Sequence, residues 1–130
     1  MNENIQVKDT ERKEWIIHQL FLSMGFFDTN TREPFRMLSE FQYESGDNIC
    51  GSEVIGCALS AYYTTDDEYY IGENNVSISY DITNEEVIMK ESEFYPYIEK
   101  YSMEYVTRNP DQKEEVMECL KNIRKRFKLE

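Results

Sequence analysis

Residues 63 to 74 hold Tyr63, Asp66, Asp67, Glu68, Tyr69, Tyr70 and Glu73, a run of carboxylates and phenols. Oxygen ligands at Asp66, Asp67, Glu68, Glu73 and Asn74 do not follow the spaced calcium loop with its central glycine and terminal glutamate. A carboxylate pair for glycosidase-type chemistry can be drawn from so many acids that no pair is singled out. His18 is the single histidine and lies in an apolar stretch, so two-histidine acid–base chemistry is excluded and a structural role is favoured. Cys50, Cys57 and Cys119 contain no CxxC pair and their spacing matches no zinc pattern. An odd count of this kind suits free thiols in a reducing cytosol. The five glycines form no phosphate-cradling loop. No cofactor and no metal are expected, and no catalytic residue is assigned.

The chemistry left to the acid–tyrosine run is recognition. Residues 40 to 104 contain 15 Asp/Glu against only Lys90 and Lys100, whereas the remainder is near neutral, in a chain of 130 residues with net charge −12. All ten tyrosines fall between Tyr43 and Tyr105. Carboxylates steer a cationic partner, and tyrosines supply rigid contact area with a hydrogen-bonding tip. The candidate binding surface is therefore Tyr63, Asp66, Asp67, Glu68, Tyr69, Tyr70 and Glu73, joined by Glu85, Glu86, Glu91 and Glu93 on the following turn and strand edges. Tyr62, Tyr80, Tyr101 and Tyr105 are read as core or half-core. The acidity argues against direct nucleic-acid binding and against anionic membranes. No window is long and apolar enough for a transmembrane span, and the start MNENIQVKDT has no apolar run of a signal peptide. A cytoplasmic location is expected, with residues 1–130 forming one domain.

The elements that position these residues follow from periodicity. Asp9 or Thr10 caps a helix over 10 to 25 whose broad apolar face, Trp15 to Met24, should be mostly covered, with Gly25 as its stop. Pro34 opens a second helix to about Tyr43, with Phe35, Leu38 and Phe41 on one face. Ser45 to Asn48 break it. Val54 to Tyr63 reads as a strand. Tyr69 to Ile71 begins another, interrupted by Gly72 and continued by the alternation of Val76, Ile78 and Tyr80 with Ser77, Ser79 and Asp81. Val87 to Met89 is a third. Short turns between them imply an antiparallel meander. A helix carrying Phe94, Ile98, Tyr101 and Tyr105, with Ser92 as a candidate cap, follows. A last helix is signalled by an Asn109 cap, Pro110 and Asp111, with a buried face of Val116, Leu120, Ile123 and Phe127. The fold class is α+β: about three strands packed with about four helices in the order α-α-β-β-β-α-α.

Three segments carry a family resemblance: YYIGENNVSISYD from Tyr69, VIMKESEFYPYIEKYSMEY, and NPDQKEEVMECLKNI. Their YxxG, EFYxYI and P-x-x-K-E-E-V motifs, spanning Tyr69 to Ile123, resemble the immunity proteins of bacterial contact-dependent growth inhibition, the CdiI type. Within that group they are most similar to those paired with ribonuclease toxins, particularly EndoU-like ones. The resemblance implies a non-enzymatic antidote that binds the C-terminal domain of a cognate toxin, a basic nuclease, and blocks its active site. Two other classes are compatible with the residues themselves: an acidic adaptor or nucleic-acid mimic that binds another basic protein, and an enzyme with carboxylate chemistry.

Overall fold

The computed structural model describes residues 5–42, 49–68 and 70–129. Its elements run β1 (Ile5–Gln6), α1 (Thr10–Ser23), α2 (Pro34–Gln42), β2 (Ile49–Gly51), β3 (Ile55–Leu59), β4 (Asn75–Tyr80), β5 (Glu85–Lys90), α3 (Glu91–Arg108) and α4 (Lys113–Arg126). The α+β class and the four helices stand as the sequence predicts. The sheet does not: it has five strands in the order β1-β5-β4-β3-β2, and it is mixed because β1 runs parallel to β5. The antiparallel meander of β3, β4 and β5 forms its centre. The two added strands sit at the edges. Each is only two or three residues long, too short to display a period.

Cross-strand register divides the sheet into two faces. Cys57, Ile78 and Val87 lie opposite one another and are buried beneath the helices. Gly56, Ser79 and Glu86 form the neighbouring row, as do Ala58, Ser77 and Ile88, and these rows point the other way. On the helical side α1 meets β3 and β4, α2 meets β2, and α3 meets β4 and β5, while α4 packs on α2 and α3. The centre of the core is aromatic: Phe21 stacks on Tyr101 at 4.4 Å between ring centroids and meets Phe26 edge-on at 4.9 Å. Such contacts add to the area that each ring buries.

Caps explain where the helices start. Asp9 accepts from the Arg12 backbone N–H at 2.9 Å and opens α1. Gly25, at φ +82°, turns the chain beyond α1, and a Cβ there would lie 2.7 Å from the Cβ of Glu33. The α1 face is less covered than expected, since Trp15 and Leu22 are exposed. Helix α3 starts at Glu91 rather than after a Ser92 cap, and the Glu93 carboxylate reaches back to the Lys90 N–H at 3.2 Å. The expected end of α2 at Tyr43 and the breaking residues 45–48 lie outside the described residues.

Asn109 corrects another expectation. Its side chain does not cap the final helix; a 3-10 turn, Pro110–Gln112, intervenes before α4. Asn109 is buried and instead clamps the α1–α2 connection. Its Oδ1 accepts from the Asn30 N–H at 2.8 Å, and its Nδ2 donates to the carbonyls of Asp28 and Tyr105, both at 3.0 Å. The Tyr105 hydroxyl donates to the Thr31 carbonyl beside it. Truncating the amide would remove three hydrogen bonds, two part-buried and one buried, so Asn109→Ala should cost about 2–3 kcal/mol. Urea unfolding would show this as a lower midpoint at unchanged slope.

Candidate functional site

The expected strand from Val54 to Tyr63 stops at Leu59, and a 3-10 turn over Ser60–Tyr62 follows. That turn carries Tyr62 outward, 49% exposed, against its expected place in the core. Its ring meets Tyr63 edge-on at 5.0 Å. Tyr80, Tyr101 and Tyr105 do occupy half-buried or buried positions.

Between Tyr63 and Asn74, turns occur at residues 65–68 and 73–74. The Asp67 N–H donates to the Thr64 carbonyl and the Tyr70 N–H to the Asp67 carbonyl, each at 3.0 Å. Gly72 and Asn74 adopt φ of +94° and +59°, and the Asn75 amide donates to the Ile71 carbonyl at 2.6 Å. These left-handed positions end the extended run that Tyr69 to Ile71 was expected to begin. Tyr69 itself lies outside the described residues. The loop is fastened at its far end, where the Glu91 N–H donates to the Asn74 carbonyl at 2.8 Å.

Asp66, Asp67, Glu68 and Glu73 are all exposed on this loop. Asp66, Glu68 and Glu73 make no ion pair with any described residue. The loop also walls a cavity of about 770 Å³ over the side of the sheet away from the helices. Tyr63, Glu68 and Tyr70 line it together with Gly56, Ser77, Ser79 and Glu86. Small side chains on three neighbouring strands leave the space, and the loop closes one side of it. Sequence reasoning missed this cavity, because it depends on which residues of three strands face the same way.

The other acids are placed differently. Glu91 is buried at the start of α3, and burial raises its carboxyl pKa against the opposing pull of Arg126 and Lys128. Those two bases line a second cavity, of about 490 Å³, with Tyr63, Tyr70, Glu73 and Glu91. The basic end of α4 therefore partly answers the acids on that flank. Glu93 is exposed beside its bond to Lys90.

Glu85 lies at the opposite end of the sheet, opposite Tyr80, and does not join the loop acids. Arg12 Nη2 reaches its Oε1 at 2.5 Å, Arg12 Nε reaches its Oε2 at 3.0 Å, and the Thr83 hydroxyl donates to Oε1 at 2.5 Å. The Arg12 guanidinium, aided by Thr83, holds the Glu85 carboxyl down at about 2. A carboxyl whose folded pKa lies below its unfolded value stabilises the fold above the unfolded pKa and loses that contribution as the pH falls through the folded one. The melting temperature should therefore drop more steeply between about pH 5 and 2 in the natural protein than in Glu85→Gln. Equal slopes would show that the ion pair does not couple to folding.

His18 has the structural setting expected of it, with Nδ1 3.3 Å from the Tyr101 hydroxyl and its ring against Phe27. Cys57 and Cys119 are buried free thiols and Cys50 is half-buried. Burial raises the Cys57 thiol well above its ordinary pKa, so it is held as a neutral thiol. No helix among the described residues is long and apolar enough to cross a membrane.

The α+β scaffold presents an acidic loop over an open sheet face. The CdiI_4 model, described as CDI immunity protein, matches residues 13–120, and the chain belongs to this family of contact-dependent growth inhibition immunity proteins. Members of such a family protect by binding a cognate toxin. The match extends into α1 and α2, well before the motifs from Tyr69 onward that carry the resemblance in the sequence. The crystal structure of an immunity protein from Neisseria meningitidis MC58 shares the fold, with a TM-score of 0.61 at 17% identity over 86% of this chain and 89% of that chain. Among curated proteins none matches.

Proposed function

We propose that this immunity protein neutralises a ribonuclease toxin by seating its acidic loop and open sheet face against the toxin's basic RNA-binding cleft. It acts without catalysis, in the cytoplasm of the cell it protects. The observation that carries the reading is the cluster of exposed carboxylates at Asp66, Asp67, Glu68 and Glu73 on a turn-built loop beside half-buried Tyr63 and Tyr70. A cleft that binds RNA must be positive to hold phosphates. Carboxylates can occupy the phosphate positions, and phenol rings can fill the groove where bases stack. Tyr69 is included in the proposed surface on its place in the sequence.

Charge sets the speed of such an encounter, and buried aromatic anchors set its persistence. The test is co-expression with the toxin domain encoded in the adjacent upstream reading frame. Rescue of growth, co-purification and loss of RNA cleavage by the toxin support the reading. Death of cells carrying both proteins would end it, and rescue from a toxin that leaves RNA intact would remove the ribonuclease target.

A further inference from the structure

Glu86 is a carboxylate on the sheet face away from the helices. It sits on the open face one residue from the Glu85 end of β5, half-buried, where its Oε2 accepts from the Ser77 hydroxyl at 2.9 Å. No described residue supplies it with an ion pair. Arg36 lines the same cavity, but its guanidinium is bound to Glu33 at 3.0 Å. Its carboxylate thus faces the open groove with one neutral donor and, among the described residues, no cation beside it. The space above it, about 770 Å³, is wide enough for the tip of a loop. Tyr63 and Tyr70 wall this space and Glu68 adds a second negative charge. Aromatic walls over a carboxylate floor match an ammonium or guanidinium carried on a long aliphatic stem.

We propose that this groove receives a lysine or arginine side chain from a surface loop of the toxin, with Glu86 as its counter-ion. The contact rests on the toxin-binding function above and specifies it: the loop acids gather the partner, and Glu86 holds it. It therefore decides which toxins are retained, because a partner with an apolar or acidic residue at that place would leave Glu86 buried and unanswered.

Two variants test the inference with the toxin domain encoded upstream as the probe. Glu86→Gln keeps an oxygen for the Ser77 hydroxyl and removes the charge. Gly56→Val fills the groove from its floor. A Cβ at Gly56 meets the Ser79 hydroxyl at 3.7 Å and the Cys50 carbonyl at 3.8 Å, ordinary contact distances, so the strand can accept it. Both should melt within a few degrees of the natural protein. Glu86→Gln should dissociate about 30-fold faster with little change in association. Gly56→Val should weaken binding about 10-fold or more by exclusion. Unchanged dissociation in Glu86→Gln overturns the counter-ion, and a Gly56→Val protein that binds normally overturns insertion. If the natural protein does not bind the toxin domain, the function falls and the contact falls with it. Normal binding that is indifferent to both substitutions removes the contact alone.

Discussion

Replacing Asp66, Asp67 and Glu68 together with lysine should slow association with the toxin about 100-fold and change dissociation by less than about threefold. All three residues are exposed, and the bonds from the Asp67 N–H to the Thr64 carbonyl and from the Tyr70 N–H to the Asp67 carbonyl are backbone bonds that the substitutions do not remove. The three are consecutive in the chain, so they act together on an approaching cation over a Debye length of about 8 Å at physiological salt. Reversal replaces a steering field by a repulsive one. Stopped-flow association from low to physiological salt checks this. The natural protein should lose speed steeply as salt rises, and the variant should gain it. Association that ignores both salt and substitution would remove the electrostatic basis of the proposed function. Separating rate from persistence matters here, since Glu86 is expected to act on the second and the loop acids on the first.

The largest effect on stability should come from Phe21→Ala, at about 4 kcal/mol. Phe21 is fully buried and touches the rings of Phe26, Phe94 and Tyr101, so it links α1, the turn after it and α3. Removing it deletes the transfer energy of a whole ring and leaves a hole bounded by three aromatic residues, whose stiff side chains are poorly able to collapse into it. A domain of this size is commonly stable by about 5–15 kcal/mol, so the variant should be marginal at body temperature. Phe21→Leu should recover most of the loss. Chemical denaturation of both variants measures this, and a cost under about 1 kcal/mol for the alanine would mean that the helical layer packs loosely.

How much of this architecture can be read from the residues depends on how local its causes are. Helix α1 announces itself through Asp9, and α2 through Pro34, because capping and ring constraint act within a turn of chain. Strand β1 gives no such sign: exposed Ile5 joins the sheet only through β5, 80 residues away in the chain. The sequence Asn109-Pro110 marks a real chain reversal, yet the amide of Asn109 is used 81 residues away at Asp28 rather than on its own helix. Tyr69 to Ile71 reads as the start of a strand because tyrosine and isoleucine favour strands, whereas Gly72 and Asn74 in left-handed conformations delay the strand to Asn75.

The candidate surface shows the same division. The acids of residues 66–73 are evident from composition. Glu85 and Glu86 look alike in the sequence, but adjacent strand residues face opposite sides. One is ion-paired to Arg12, 73 positions earlier, and the other floors the groove. Only the register of three strands tells them apart.

The sole tryptophan offers a way to watch the molecule from a distance. Trp15 lies edge-on to Tyr80 at 5.3 Å, with the Arg12 guanidinium 4.4 Å from its ring centroid. It thus marks the end of β4 that is about 17 Å from the acidic loop, at ordinary strand rise. Its emission is an internal standard for contacts at the loop: a toxin confined to the loop leaves the indole's surroundings unchanged. A spectral shift on complex formation would mean that the toxin reaches beyond the loop to the Tyr80 end of the sheet, where Ile5 and Ile82 stand open to solvent.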